Sequence, residues 1–208
     1  MKREHTKIHG LWLALSAILV AGLTAGCVVN VGTHDVRGNG SVVEQERSAR
    51  GFDSVALIGV GNVNVHPGRE FRVVVTTDGN IQDLITTEVR GTSLRIDMRS
   101  NRNLKPTRLT IDVYMPALRS VRLQGVGSFT VAEGGAPSLE LILSGVGDID
   151  ARNFRAENVN VNLSGIGEIR TWAANTLTGR LSGIGDVRFL GSPTNTVSRS
   201  GIGQIRPL

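Results

Sequence analysis

Three acidic residues recur at one position of a repeated motif. Asp148, Glu168 and Asp186 each follow the second glycine of a Gly-x-Gly triplet, where the other copies carry Asn62, Ser128 and Gln204. If the copies stack as neighbouring strands do, at ~4.8 Å, the three carboxylates form a column. A hard cation such as calcium, with oxygen ligands at about 2.3–2.6 Å, could bridge neighbours in such a column. Two carboxyls about 5 Å apart also have the spacing of a retaining glycoside hydrolase. The plainer reading is a solvated polar face, in which each adjacent pair repels by about 1 kcal/mol in water, a cost that solvent and salt absorb. Sugar cleavage further needs a cleft and aromatic contacts. Beyond residue 27 the chain offers Trp172, Tyr114 and five phenylalanines, of which Phe129, Phe154 and Phe189 read as core. The solvated face is therefore preferred, with Asp148, Glu168 and Asp186 kept as a weak cation or ligand column and no catalytic residue assigned.

Ser144, Ser164, Ser182 and Ser200 precede four of the triplets and form a second column. A serine nucleophile needs a base. Outside the leader the histidines are His34 and His66, neither repeated with the serines, so a hydrogen-bonding ladder is expected instead. Two histidines and a single cysteine also argue against a zinc site. The triplets are not nucleotide loops, because no third glycine arrives three residues later and none contains Gly-Lys-Ser/Thr. They also lack the Gly-Gly-x-Gly-x-Asp nonapeptide of calcium β-rolls. No cofactor is expected beyond the calcium alternative.

Cys27 is the one cysteine of the 208 residues. It follows Lys2, Arg3 and Lys7, the uncharged run 11–23 and a few small residues, the order of a secretory signal and too short to span a bilayer. An exported lone cysteine has no intramolecular partner. Leu23-Thr24-Ala25-Gly26-Cys27 resembles a bacterial lipobox, which implies lipidation of Cys27 after removal of residues 1–26, with several acyl chains giving stable anchoring. Val28 resembles the following residue of lipoproteins sent to an outer membrane, if the host has one. The expected organisation is a signal peptide over 1–26, a lipidated tether over 27–39 and a domain over 40–208.

Charge sets further limits. The full chain has 23 Lys and Arg against 18 Asp and Glu; removing Lys2, Arg3, Lys7 and Glu4 leaves 20 and 17, a net charge of +3. The arginines are scattered and form no basic run, so no nucleic-acid partner is expected.

The elements that must position these columns come from the repeat. Six triplets, Gly59/Gly61, Gly125/Gly127, Gly145/Gly147, Gly165/Gly167, Gly183/Gly185 and Gly201/Gly203, are spaced 66, 20, 20, 18 and 18 residues apart. Around them apolar columns alternate with polar residues: Leu123, Leu143, Leu163 and Leu181 before the triplet, Phe129, Ile149, Ile169, Val187 and Ile205 after it. Each copy reads as strand, glycine corner and strand. Both glycines of a triplet are expected to be structural corner residues, free to take backbone conformations that a side chain would forbid. A period of 18–20 residues predicts an all-β parallel β-helix, a β-solenoid with the aliphatic columns inside. Arg199 interrupts the leucine column in the last copy, as suits a rung covered on one side only. Residues 66–118 break the repeat and read as an irregular, strand-rich insertion, with strands at 69–76, 93–99 and 107–115 and one helical turn near 80–85.

With these residues in view, the chain from about Gly40 to Leu208 resembles the head GIN domain of putative auto-transporter adhesins. The resemblance rests on Gly51-Phe52-Asp53-Ser54-Val55, on the Ser-Gly-[Val/Ile]-Gly copies at Ser144, Ser164, Ser182 and Ser200, and on Phe189-Leu190-Gly191-Ser192-Pro193. It implies parallel β-helical coils, frequent lipidation and no catalytic residues to carry over. The expected function is a non-enzymatic, lipid-anchored envelope protein that adheres to an envelope protein or polysaccharide. The alternatives are a polysaccharide-active β-helix enzyme and a cation-binding surface protein.

Overall fold

A computed structural model describes residues 35–99 and 103–208. The expected signal peptide, Cys27, His34 and most of the expected tether lie outside the described residues. Alternation becomes strand nearly everywhere, and among the described residues the one helical element is the 3-10 turn Gln82–Leu84, within the stretch expected to turn. The fold is all-β. Sixteen strands join in one mixed sheet, with a two-stranded pair, Val36–Arg37 and Leu104–Lys105, apart from it.

The repeat sets the register of the parallel part. Val60 lies opposite Val126, Val126 opposite Val146, and single bridges continue through Ile166, Ile184 and Ile202. The first copy, far ahead of the second in the chain, is thus its direct neighbour in space. The shortening of the period after the fourth copy has a local cause. Ala151 pairs with Thr171 but Arg155 with Trp172, so residues 152–154 are surplus on one strand, and one surplus residue on the other follows before Asn158 meets Thr176.

Apolar columns fill the interior. Leu57, Leu123, Leu143, Leu163 and Leu181 are fully buried, as are Val63, Ile149, Ile169 and Val187, while Asn160 and Asn162 between them face out. Arg199 continues the leucine column in exposed form, and its Nη1 donates to the Gly203 carbonyl at 2.6 Å.

The glycines of the triplets divide into two sets. The second of each triplet, Gly61, Gly127, Gly147, Gly167, Gly185 and Gly203, takes a positive φ between +132° and +150°. The first, Gly59, Gly125, Gly145, Gly165, Gly183 and Gly201, does not, so the expectation that both supply a special backbone conformation is corrected for this set. Nor is every second glycine a bend between strands. Gly61, Gly127 and Gly147 lie inside strands that open at Val60, Val126 and Val146, whereas Gly167, Gly185 and Gly203 precede strands that open at Ile169, Val187 and Ile205. What the later copies share is close backbone approach. A Cβ on Gly147, Gly167 or Gly185 would lie 1.7 Å from the carbonyl oxygen of Gly127, Gly147 or Gly167 respectively, and one on Gly145 would lie 1.9 Å from that of Gly125. A side chain at those corners would separate the strands or distort the turn. Gly61 differs, because a Cβ there would meet the side chains of Ile111 and Leu109 at 3.1 and 3.3 Å, not a glycine backbone.

The reason is the insertion, which departs from expectation. Two of its strands belong to the parallel ladder: Ser93–Met98 lies beside Ser54–Leu57, and Leu109–Met115 beside Val60–Pro67. They make one more layer ahead of the first triplet. The sequence period does not mark it, because this layer has no Gly-x-Gly of its own. Antiparallel strands then close that end: Ile85–Arg90 on Ser93–Met98, Arg72–Asp78 on Leu109–Met115, and Val42–Arg47 on Arg72–Asp78. Glu44, Glu46 and Glu88 on the two outer strands discourage further pairing. Among the described residues the other end has no such cover and thins into Thr194–Asn195, Ser198–Arg199 and Ile205–Pro207.

Residues 35–39, at the end of the expected tether, and Gly40, expected to open the domain, are held to the fold. Asp35 accepts from Lys105 Nζ at 2.5 Å, and Val36 pairs with Leu104. Buried Asp78 accepts the Thr107 hydroxyl at 2.7 Å and the amides of Thr107 and Gly40, both at 2.8 Å. The Thr107 hydroxyl bond, with the two amides, holds the Asp78 carboxyl below its ordinary value.

Candidate functional site

The corner strands bring the three acids together, but not as a repelling column. Asp148 Oδ1 accepts the Glu168 amide at 2.9 Å, and Asp186 Oδ1 accepts the Gln204 amide at 2.9 Å, so each stitches its layer to the next. Two residues further on, a parallel column runs Asp150, Arg170, Arg188, Arg206. Its arginines interleave with the acids. Glu168 pairs with both Arg170 and Arg188, the latter at 2.8 Å, and Asp186 lies 3.5 Å from Arg188 and from Arg206. Asp150 pairs with Arg152 at 2.6 Å. The Gln204 amide, with Arg188 and Arg206 behind it, draws the Asp186 carboxyl below its ordinary value. The expectation of mutual repulsion is corrected for Glu168 and Asp186, which sit in a charge ladder with Arg170, Arg188 and Arg206, while Asp148 is held by the Glu168 amide. Among the described residues no three His, Cys, Asp or Glu side chains gather in a metal-sized cluster.

The serine column is exposed at Ser144, Ser164, Ser182 and Ser200. The ladder expected there is carried by their amides: Ser164 donates to Leu143 and Ser182 to Leu163, each at 2.8 Å. The hydroxyls of these four make no hydrogen bond to one another among the described residues. His66 is not with them. It stacks on Tyr114 with ring centroids 4.6 Å apart and lies 3.1 Å from Asp112 Oδ1, which also accepts from Asn64 Nδ2 at 3.0 Å. The base-and-carboxylate geometry is present there without a serine in its column.

One column escapes a reading that treats the triplets only as corners. The central residues Val60, Val126, Val146, Ile166, Ile184 and Ile202 point outward and are between 38% and 71% exposed. Five steps of ~4.8 Å make a ridge about 24 Å long, bounded by glycine backbone on both sides. The sequence carried a signal for it. Threonine is also β-branched and favours strands, yet all six positions hold Val or Ile. Contiguous exposed apolar surface is a mark of interaction sites.

The copies stack so that like residues turn outward in columns on an all-β scaffold. The chain belongs to the family described as putative auto-transporter adhesin, head GIN domain, whose model matches residues 51–134 and 120–193. Among solved structures, a putative adhesin from Bacteroides fragilis is 19% identical with a TM-score of 0.53 over 83% of this chain and 100% of that one, a likeness of fold. A putative lipid binding protein from Parabacteroides distasonis is 19% identical with a TM-score of 0.43, over 84% and 99%. A putative adhesin from Parabacteroides merdae is 15% identical with a TM-score of 0.41, over 84% and 99%. No curated protein matches the chain.

Proposed function

We propose that the chain is an exported, non-enzymatic interaction module, anchored through lipidated Cys27, whose ladder coils as a parallel β-solenoid and docks a protein of the cell envelope on its aliphatic ridge. The coil is supported by the agreement between sequence period and strand register at every copy from Val126 to Ile202. The ridge carries the functional part of the reading. Six exposed Val and Ile side chains in line fit an apolar protein surface better than a sugar, which stacks on aromatic rings; Trp172 is engaged by Arg155, 5.4 Å above its ring. No described arrangement joins a nucleophile, a base and a cleft, so the enzymatic alternative gains no support.

The test uses a Cys27→Ser background, so that lipid does not contribute, and adds Ile166→Thr with Ile184→Thr. Threonine keeps the β-branched shape and removes the apolar surface. Sedimentation with isolated envelopes is expected to show at least tenfold weaker retention with an unchanged melting temperature. Equal retention would remove the ridge from the function. The Cys27→Ser change itself should release the protein from membranes or leave its precursor uncleaved, and a processed, membrane-bound variant would end the lipid-anchor reading.

A further inference from the structure

Arg95 and Arg122 stand on one outward column with Ala56 between them, since Arg95 is opposite Ala56 and Ala56 opposite Arg122. At ~4.8 Å per strand their backbones are about 10 Å apart, so both side chains reach the space above Ala56. Ala56 points away from the core between inward Val55 and Leu57, yet it is only 6% exposed, which makes it the floor of a depression. The adjacent outward column presents Ser93, Ser54 and Ser120 in the same order. These groups, joined by Arg90 and Glu140, line a groove of about 340 Å³.

The nearby acids are each engaged by another group. Glu88, opposite Arg95, pairs with Arg90 at 3.0 Å; Asp97 accepts the Met98 amide at 2.7 Å; Glu140 accepts the Ser120 hydroxyl at 2.9 Å. Neither Arg95 nor Arg122 makes an ion pair with a described carboxylate, whereas Arg170, Arg188 and Arg206 on the other side of the corner all do. We propose that this groove is an oxyanion site that takes a phosphate group between the two guanidiniums, with the Ser93 hydroxyl as a further donor, since Ser54 and Ser120 already donate to Asp53 and Glu140. A guanidinium presents a planar fork of donors matched to phosphate oxygens. Two forks approaching from opposite sides call for an anion with oxygens on more than one face, as a tetrahedral group has. The small floor leaves room for it, and the open groove lets its substituent extend outward. The substituent is a soluble ester or the rest of a phospholipid.

The full-length protein in neutral detergent is melted in inorganic phosphate, in glycerol phosphate and in sodium chloride of equal ionic strength, and again in chloride with phosphatidylglycerol or phosphatidylcholine micelles. Phosphate is expected to raise the melting temperature by about 3 °C or more over chloride. The rise should vanish in R95Q/R122Q, survive in part in R95K/R122K, which keeps the charge without the fork, and persist in R170Q/R188Q. A rise with phosphatidylglycerol but not phosphatidylcholine assigns the group to a lipid headgroup; a rise with glycerol phosphate and none with phosphatidylglycerol assigns it to a soluble ester. No rise with any of the three phosphates, or a rise that persists in R95Q/R122Q, overturns the site.

Discussion

The two flanks of the glycine corner carry the same kind of residue to opposite ends. After the triplets, Arg170, Arg188 and Arg206 lie within reach of Glu168 or Asp186, and a charge on one rung is answered by a charge two residues away or on the next rung. On the other flank Arg95 and Arg122 stand over Ala56, with the neighbouring acids Glu88 and Glu140 engaged by Arg90 and Ser120. Interleaved charges serve the fold by holding strands in register. Charges left without partners do nothing for the fold, and a groove that keeps them exposed beside hydroxyls is available to a ligand.

The contrast depends on the corner that divides the flanks, and breaking the corner should have the largest effect. Gly147→Ala places a Cβ 1.7 Å from the Gly127 carbonyl oxygen at a φ of +132°, so it should cost more than about 4 kcal/mol or prevent folding. Circular dichroism melting checks this; a wild-type melting curve would show that the corners do not pack through their backbones. Next in size is the core beneath both flanks. Leu163→Ala removes a fully buried side chain stacked between Leu143 and Leu181 and should cost ~2–5 kcal/mol, whereas exposed Asn162→Ala should cost little. Denaturant titration of the pair tests the assignment of inside and outside, which equal losses would reverse.

The paired flank comes third. Changing Asp148, Glu168 and Asp186 to Asn, Gln and Asn removes the carboxylate partners of Arg188 and Arg206, leaves Arg170 with Asp150 alone at 3.8 Å, and should cost roughly 2–3 kcal/mol at low salt, less in 1 M salt. A repelling column would instead gain stability from the same change, so the sign of the effect decides between the two pictures. Acid gives an independent check. Because the folded-state carboxyl of Asp186 titrates below its unfolded value, its contribution is complete above about pH 4 and is lost as pH falls through the folded value. Buried Asp78 has the same sign. The wild type should therefore destabilise below about pH 4, and the triple variant less steeply.

Much of this was legible in the chain itself. The spacing of the triplets determined the register, the period-two alternation determined which side of each strand is buried, and the break at Arg199 marked the uncovered end. The extra layer formed by Ser93–Met98 and Leu109–Met115 was not legible, because a rung without Gly-x-Gly leaves no periodic mark and its partner strands lie far back in the chain. The two glycines of a triplet look alike in sequence, yet Gly167 and Gly185 are fixed by their φ and Gly165 and Gly183 by close contact alone, a division that only the stacking of the corners creates. The acids were found and their surroundings misjudged. For Glu168 and Asp186 an arginine, Arg170 or Arg188, stands two residues further on, and that spacing was there to be read. The ridge was missed because a β-branched residue between two glycines has a sufficient explanation in strand preference alone. Only its exposure shows that nothing described covers it.

The smallest effect is the sharpest test of the comparison. Arg122→Gln removes a guanidinium of the same kind as Arg188, at a similar partial exposure, but one that pairs with no described carboxylate. Its neighbour in the column across Ala56 is another cation, Arg95, so the change also relieves a like-charge contact about 10 Å away that salt already screens. Stability should therefore stay within about 0.5 kcal/mol of the wild type. Arg188→Gln, which leaves Glu168 facing Arg170 alone and removes one partner of Asp186, should cost about 1 kcal/mol at low salt. Urea titrations of the two single variants at low and at 1 M salt measure the difference. It should shrink at high salt, because only the Arg188 term is an ion pair; two equal costs at low salt would mean that the flanks are electrostatically alike and that Arg122 has a partner in the fold.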